Sequence, residues 1–161
     1  MTAPARTVPA LVVLGSLIAV AGCGILKDSG EEAREIAVEA ARHVLEENRD
    51  SLTAVLRQEG RDDQRLRAAA EEALTGSGDW YALIGVTTAA RQVEARMVFY
   101  GRGEAGGGGT YKDYIVALCA TISGTAGPGA EARAGDLTCP GTLPSSRRFS
   151  SVNEIVTLGD D

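Results

Sequence analysis

The chain has 161 residues, 44% of them apolar and 24% charged, with a formal net charge of −6. That length and apolar fraction suit one packed domain, leave little room for two, and exclude disorder throughout. The acidic balance, with no clustered basic face, excludes nucleic acid as a partner. Aromatic residues make up only 4% of the chain, so its core must rest on Leu, Ile, Val and Ala. The basic residues are almost all Arg, the lysines being Lys27 and Lys112. With so much Ala and Gly, this reads as the coding bias of a GC-rich genome before it reads as a functional choice.

Met1–Thr7 is short and polar, with one positive charge at Arg6, and Val8–Val20 is apolar. Ala21, Gly22 and Cys23 follow. A charged start, an apolar middle and small residues before a cut site describe a secretory signal. Val20, Ala21, Gly22 and Cys23 match, position by position, an aliphatic residue, two small residues and a cysteine. On these residues the chain resembles the bacterial lipoprotein class, with a composition like that of actinobacterial members. The resemblance implies cleavage between Gly22 and Cys23 and a lipid (diacylglyceryl, with palmitate-type chains) on the Cys23 sulfur. It also implies attachment to the extracytoplasmic face of the cell membrane. The single Arg6 departs from the two or more charges usual in that class. A buried acyl methylene contributes roughly 0.8 kcal/mol and one chain holds only marginally, so the several chains on such a cysteine give stable attachment. An uncleaved membrane helix is the rival. It needs about 20 apolar residues and reaches them only by counting Gly22 to Leu26, with Pro9 and Gly15 inside the run. A plain secreted protein would leave Cys23 as an odd thiol.

With Cys23 lipidated, Cys119 and Cys139 remain. Two cysteines in an oxidising compartment read as one disulfide, worth about 3 kcal/mol for a loop of that length. Two buried thiols or half of a metal site are the alternatives. No Cys-x-x-Cys pair occurs and His43 is the single histidine, so neither a metal nor another cofactor is expected.

The expected organisation is a signal at 1–22, a lipidated anchor and linker at 23–28, one α+β domain at 29–140 and a mostly irregular tail at 141–161. Ser29 and Glu32 form a capping-box pattern. The helix after it is expected over 31–58, with Ile36, Ala40, Val44, Leu52, Val55 and Leu56 recurring near three and four. Gly60 and Arg61-Asp62-Asp63 interrupt it. A second helix over 62–74 buries Leu66, Ala69, Ala70, Ala73 and Leu74, and Gly76-Ser77-Gly78 ends it. The texture then changes to period two. A strand over 80–88 places Trp80, Ala82, Ile84 and Val86 on one side. A strand over 93–102 sets Val93, Ala95, Met97 and Phe99 against Glu94, Arg96, Val98 and Tyr100. The next, 111–122, is apolar on both sides, which places it centrally or under a cover. A fourth is expected over 132–139.

Gly106–Gly109 and Gly124–Gly129 supply the turns of a meander. Cys119 and Cys139 are equidistant from Gly129, so the second hairpin would set them opposite each other. In the tail, Val152–Leu158 can form an edge strand. The architecture is a helix pair on a three- to four-stranded antiparallel meander. Its element order is loosely similar to cystatin-like and nuclear-transport-factor-like folds, and a fold alone does not set function.

Little in the chain points to catalysis. His43 lies in the first helix, where a surface imidazole is ordinary. Glu46-Glu47, Asp62-Asp63 and Glu71-Glu72 are adjacent pairs, which on a helix point about 100° apart and do not converge on one cleft. The run Gly101–Gly109 lacks the strand-to-helix context and the Lys-Ser/Thr of a phosphate loop. Tyr100, Tyr111 and Tyr114 lie on one hairpin with Arg102 and Lys112. Tyr and Arg favour recognition surfaces, and aromatics also simply suit strands. Arg147-Arg148 could touch anionic headgroups. The reading is a non-catalytic lipoprotein domain that binds an envelope protein or a small ligand. The alternatives are an envelope hydrolase, or a carrier of lipid or small molecules that would need a cavity.

Overall fold

The computed structural model describes residues 28–58, 60–75, 79–107, 110–144, 148–149 and 151–159. The signal segment, Cys23, the Gly76–Gly78 helix stop and Arg147 lie outside these. The chain forms α1 (Ser29–Leu56), α2 (Asp63–Leu74), β1 (Tyr81–Ala89), β2 (Gln92–Gly107), β3 (Thr110–Thr125), β4 (Arg133–Asp136) and β5 (Glu154–Val156). This is the expected α+β class. Both helices precede an antiparallel β1-β2-β3-β4 meander, and β5 pairs with β3 in parallel.

The cap of α1 is Asp28, not Ser29. Its carboxylate accepts a long 3.4 Å bond from the Gly30 N–H, and its carbonyl accepts from the Glu32 N–H at 3.0 Å. Asp and Ser cap about equally well, and Asp28 holds the extended backbone a cap needs while Ser29 is already helical. Asp62 caps α2, accepting from the Arg65 N–H at 2.8 Å.

The buried stripe of α1 matches the expected one at Leu52, Val55 and Leu56 and differs in the N-terminal half of the helix. It runs through Ala33, Ala37, Val38, Ala41, Leu45, Asn48, Leu52, Val55 and Leu56, and Ile36 is 43% exposed. Asn48 is satisfied by its own helix, donating to the Val44 carbonyl at 2.8 Å. The alanines face the sheet because the sheet answers with glycines. A Cβ on Gly101 would lie 1.9 Å from the Ala37 carbonyl oxygen, and one on Gly103 would lie 1.9 Å from that of Ala33. Helix and strand backbones touch there.

Three further departures have local causes. In β1 a bulge between Leu83 and Gly85 leaves Ile84 without a partner. Tyr81, Leu83 and Val86 therefore join the helix-side core instead of the Trp80-Ala82-Ile84-Val86 set, and Trp80 precedes the strand. β2 runs five residues past its expected end, paired from Gln92↔Thr125 to Gly107↔Thr110. Gly101 and Gly103 are strand residues under α1, where a missing Cβ permits close backbone approach, and the chain reverses between the paired Gly107 and Thr110, within the expected Gly106–Gly109. β4 stops at Asp136, short of 139. The register Ala120↔Asp136 centres the hairpin on Pro128, and the Leu137 N–H bonds the Cys119 carbonyl at 3.3 Å. Cys139 lies two residues further on and still forms the disulfide with Cys119, with a Cα–Cα distance of 5.3 Å.

Two apolar layers result. On the helix side, Leu45, Leu52, Leu56, Leu66, Met97, Phe99, Leu118 and Ile122 fill the space under α1 and α2. On the outer side, Val98, Tyr100, Ala117 and Cys119 lie beneath Leu137, Cys139, Leu143, Phe149 and Val152. The both-sided burial of β3 thus comes from helices on one face and the returning tail on the other. Ala90 (φ 49°) and Arg91 (φ 64°) make the turn between β1 and β2, a left-handed conformation costing roughly 1 kcal/mol per residue. The Arg91 N–H donates to Asp63 Oδ1 at 2.8 Å and ties the turn to α2. Among the described residues, no helix is long and apolar enough to cross a membrane.

Candidate functional site

The five hairpin residues do not share one surface. Tyr100 is 2% exposed in the outer layer, where its hydroxyl donates to the Pro144 carbonyl at 2.5 Å and its ring lies 6.0 Å from Phe149. Arg102 and Tyr111 stand together on the outer face. Arg102 grips both Asp113 oxygens at 2.9 Å and reaches Glu104 at 2.6 Å. Tyr111 is 63% exposed, with its phenol bonded to Glu104. Lys112 and Tyr114 alternate onto the opposite, helix-side face. The Tyr114 hydroxyl donates to Glu154 Oε2 at 3.1 Å, and Arg34 binds the same carboxylate through Nε and Nη2 at 2.7 and 2.9 Å. That trio links α1, β3 and β5.

A feature missed in the sequence is a groove of about 490 Å³ between the C-terminal half of α1 and β4. Arg49, Thr53, Arg57 and Arg133 line it with Asp50 and Glu131. Thr53 Oγ1 accepts from the Ala132 N–H at 3.0 Å, and Arg57 Nε donates to the Ala130 carbonyl at 2.9 Å, so both side chains also hold the groove's far wall. Arg49 pairs with Glu46 and lies 3.5 Å from Asp50. The α1 and β4 sides of the groove are more than seventy positions apart in sequence, and the β3–β4 turn brings them together. No local pattern could have signalled them.

The other polar residues have plain roles. His43 Nε2 lies 3.4 Å from Glu47 Oε1, both side chains well exposed. Glu71 accepts from Arg67 at 2.8 Å, and Asp62 and Asp63 bond backbone N–H groups. Arg148 pairs with Asp79 at 2.9 Å and stacks 5.3 Å from the Trp80 ring centre. Among the described residues, no group of three or more His, Cys, Asp or Glu could hold a metal ion.

All four tyrosines are held above the ordinary phenol value. Burial is the main cause for Tyr81, Tyr100 and Tyr114, and the hydrogen bond to Glu104 for Tyr111. A phenol raised in the fold contributes stability that is intact below its unfolded value of about 10 and is lost as pH rises toward the folded one. Tyrosinate absorbance of the native protein is therefore expected to develop at higher pH than in the urea-unfolded chain, with stability falling above about pH 10. Coincident titrations would contradict these phenol environments.

No protein-family model matches the chain, and neither a curated protein nor a solved structure matches it.

Proposed function

We propose that this is a bacterial envelope lipoprotein, cut before Cys23, acylated there and held on the extracytoplasmic face, whose α+β domain binds a ligand rather than transforming one. The observation that carries this reading is the Val20-Ala21-Gly22-Cys23 motif placed just before a folded domain whose first helix begins at Ser29. The Cys119–Cys139 disulfide supports it, because such bonds persist in oxidising compartments outside the cytoplasm. Among the described residues, the groove beside β4 offers a place for such a ligand. Its arginines suit a carboxylate or phosphate group, which a guanidinium meets with paired donors. A carrier would need the space between helices and sheet open, and Leu45, Leu52, Met97, Phe99 and Leu118, each at most 2% exposed, fill it.

Intact-mass and detergent-partition analysis of protein from its native membrane tests the reading. The expected species begins at Cys23, carries acyl groups and enters the detergent phase, while Cys23→Ser stays uncut or leaves the membrane fraction. A membrane-bound chain that still begins at Met1 would overturn it.

A further inference from the structure

We infer that the end of the β2–β3 hairpin carrying the paired Gly106 and Tyr111 rests on the glycerophospholipid surface, with Tyr111 among the headgroups; this builds on the reading of Cys23 as the lipid-bearing residue. The geometry comes from how α1 lies on the sheet. Gly103 meets Ala33, Gly101 meets Ala37 and Gly124 meets Leu56, so α1 runs lengthwise along β2 and β3. Its N-terminus points to the same end as the hairpin tip. The elements are not equally long. From the Gly103–Ala33 contact, four more residues carry β2 roughly 13 Å to Gly107. Four residues carry α1 only roughly 6 Å to Ser29. The hairpin therefore stands roughly 7 Å beyond the start of the helix.

Five steps of chain join Cys23 to Asp28, a reach of at most roughly 17 Å. A lipid-bearing Cys23 would hold the bilayer within that distance of the helix start, and the hairpin projects into the same interval. It projects alone. β1 ends its pairing at Tyr81↔Phe99, and β5 begins at Val116↔Glu154, so beyond these rows β2 and β3 form a two-stranded ribbon.

The chemistry of this end fits a headgroup region. Gly106 puts no bulk on the β2 side of this end. Tyr111, paired with Gly106, is the large apolar body presented there. A ring with a polar hydroxyl is the side chain favoured at membrane–water boundaries. Lys112 adds an exposed ammonium on the other face of the ribbon, where lipid phosphates attract a cation. Arg102, Glu104 and Asp113 sit further back and neutralise one another in part.

The test uses the acylated protein in vesicles of phosphatidylcholine with a minor share of phosphatidylglycerol. Lys112→Cys and, at the opposite end of the fold, Pro128→Cys each receive a fluorophore. Cys23 is acylated and Cys119 joined to Cys139, so the introduced thiol takes the label. Headgroup spin-labelled lipid is expected to quench the label at 112 several-fold more than the label at 128, and Tyr111→Ser should narrow the difference. Equal quenching in protein that floats with the vesicles overturns the hairpin contact alone. Protein that fails to float overturns the anchor and the inference together.

Discussion

Gly103→Ala is expected to lower stability by about 3 kcal/mol or more, or to prevent folding, and Gly101→Ala to do nearly as much. Each methyl would be placed 1.9 Å from a helix carbonyl oxygen, and within 2.7 Å of a helix nitrogen as well. Backbone cannot rotate aside as a side chain can. The helix would have to lift by more than an ångström along two turns, opening the alanine stripe that packs so closely below it. Two other glycines supply graded comparisons. At Gly124 the nearest atom is Leu56 Cδ1 at 2.5 Å, the end of a flexible side chain, so Gly124→Ala should cost less. At Gly85 nothing lies within 4 Å, so Gly85→Ala should be neutral or stabilising by up to about 1 kcal/mol. Urea unfolding followed by the single Trp80 ranks all four. Equal costs at 85 and 103 would show that α1 does not lie on the strand backbone.

The second large effect is expected from the disulfide. Cys119→Ala with Cys139→Ala should cost about 3 kcal/mol by the loop-closure argument, for a sequence separation of 20 residues. The loss reaches further than the loop. Beyond Cys139 the tail is held over the outer face by Phe149 against Trp80 and Tyr100, by the Tyr100–Pro144 bond and by three residues of β5. Without the covalent tie those contacts must order the tail unaided. The double variant should therefore bind an apolar-surface dye that the parent does not, and the reduced parent should behave the same way. A reduced protein as stable as the oxidised one would show that the bond only decorates a layer already fixed by packing.

Much of this architecture could be read from the residues. The change from helical to strand periodicity at Gly78, the helix break at Gly60, the meander order and the partnership of Cys119 with Cys139 follow from local patterns. What could not be read depends on contacts between distant segments. Ile36 looks like the core of α1, yet Ala33, Ala37 and Ala41 take that place because Gly101 and Gly103 lie opposite this stretch of the helix. The bulge at Ile84 shifts half of β1 to the other phase, and no glycine or asparagine marks the turn at Ala90-Arg91. The role of Asp63 in tying that turn is equally invisible. Of the candidate surface, sequence could group the tyrosines by proximity, but strand alternation and the returning tail divide them. The arginine groove arises only when β4 comes beside α1.

β5 has a bearing on what happens while the chain is being made. It follows every other strand in synthesis order and pairs with the middle of β3, a strand produced some thirty residues earlier. Until residues 137–156 arrive, Val98, Tyr100 and Ala117 have no cover, and the edge of β3 next to Val116–Leu118 has no neighbour. A nascent or prematurely terminated chain that stops after β4 thus presents an apolar sheet face and an open strand edge at once, the pair of features that draws chaperones, proteases and other unfolded chains. Quality control therefore has a simple criterion for this protein, since a missing tail is displayed on the surface.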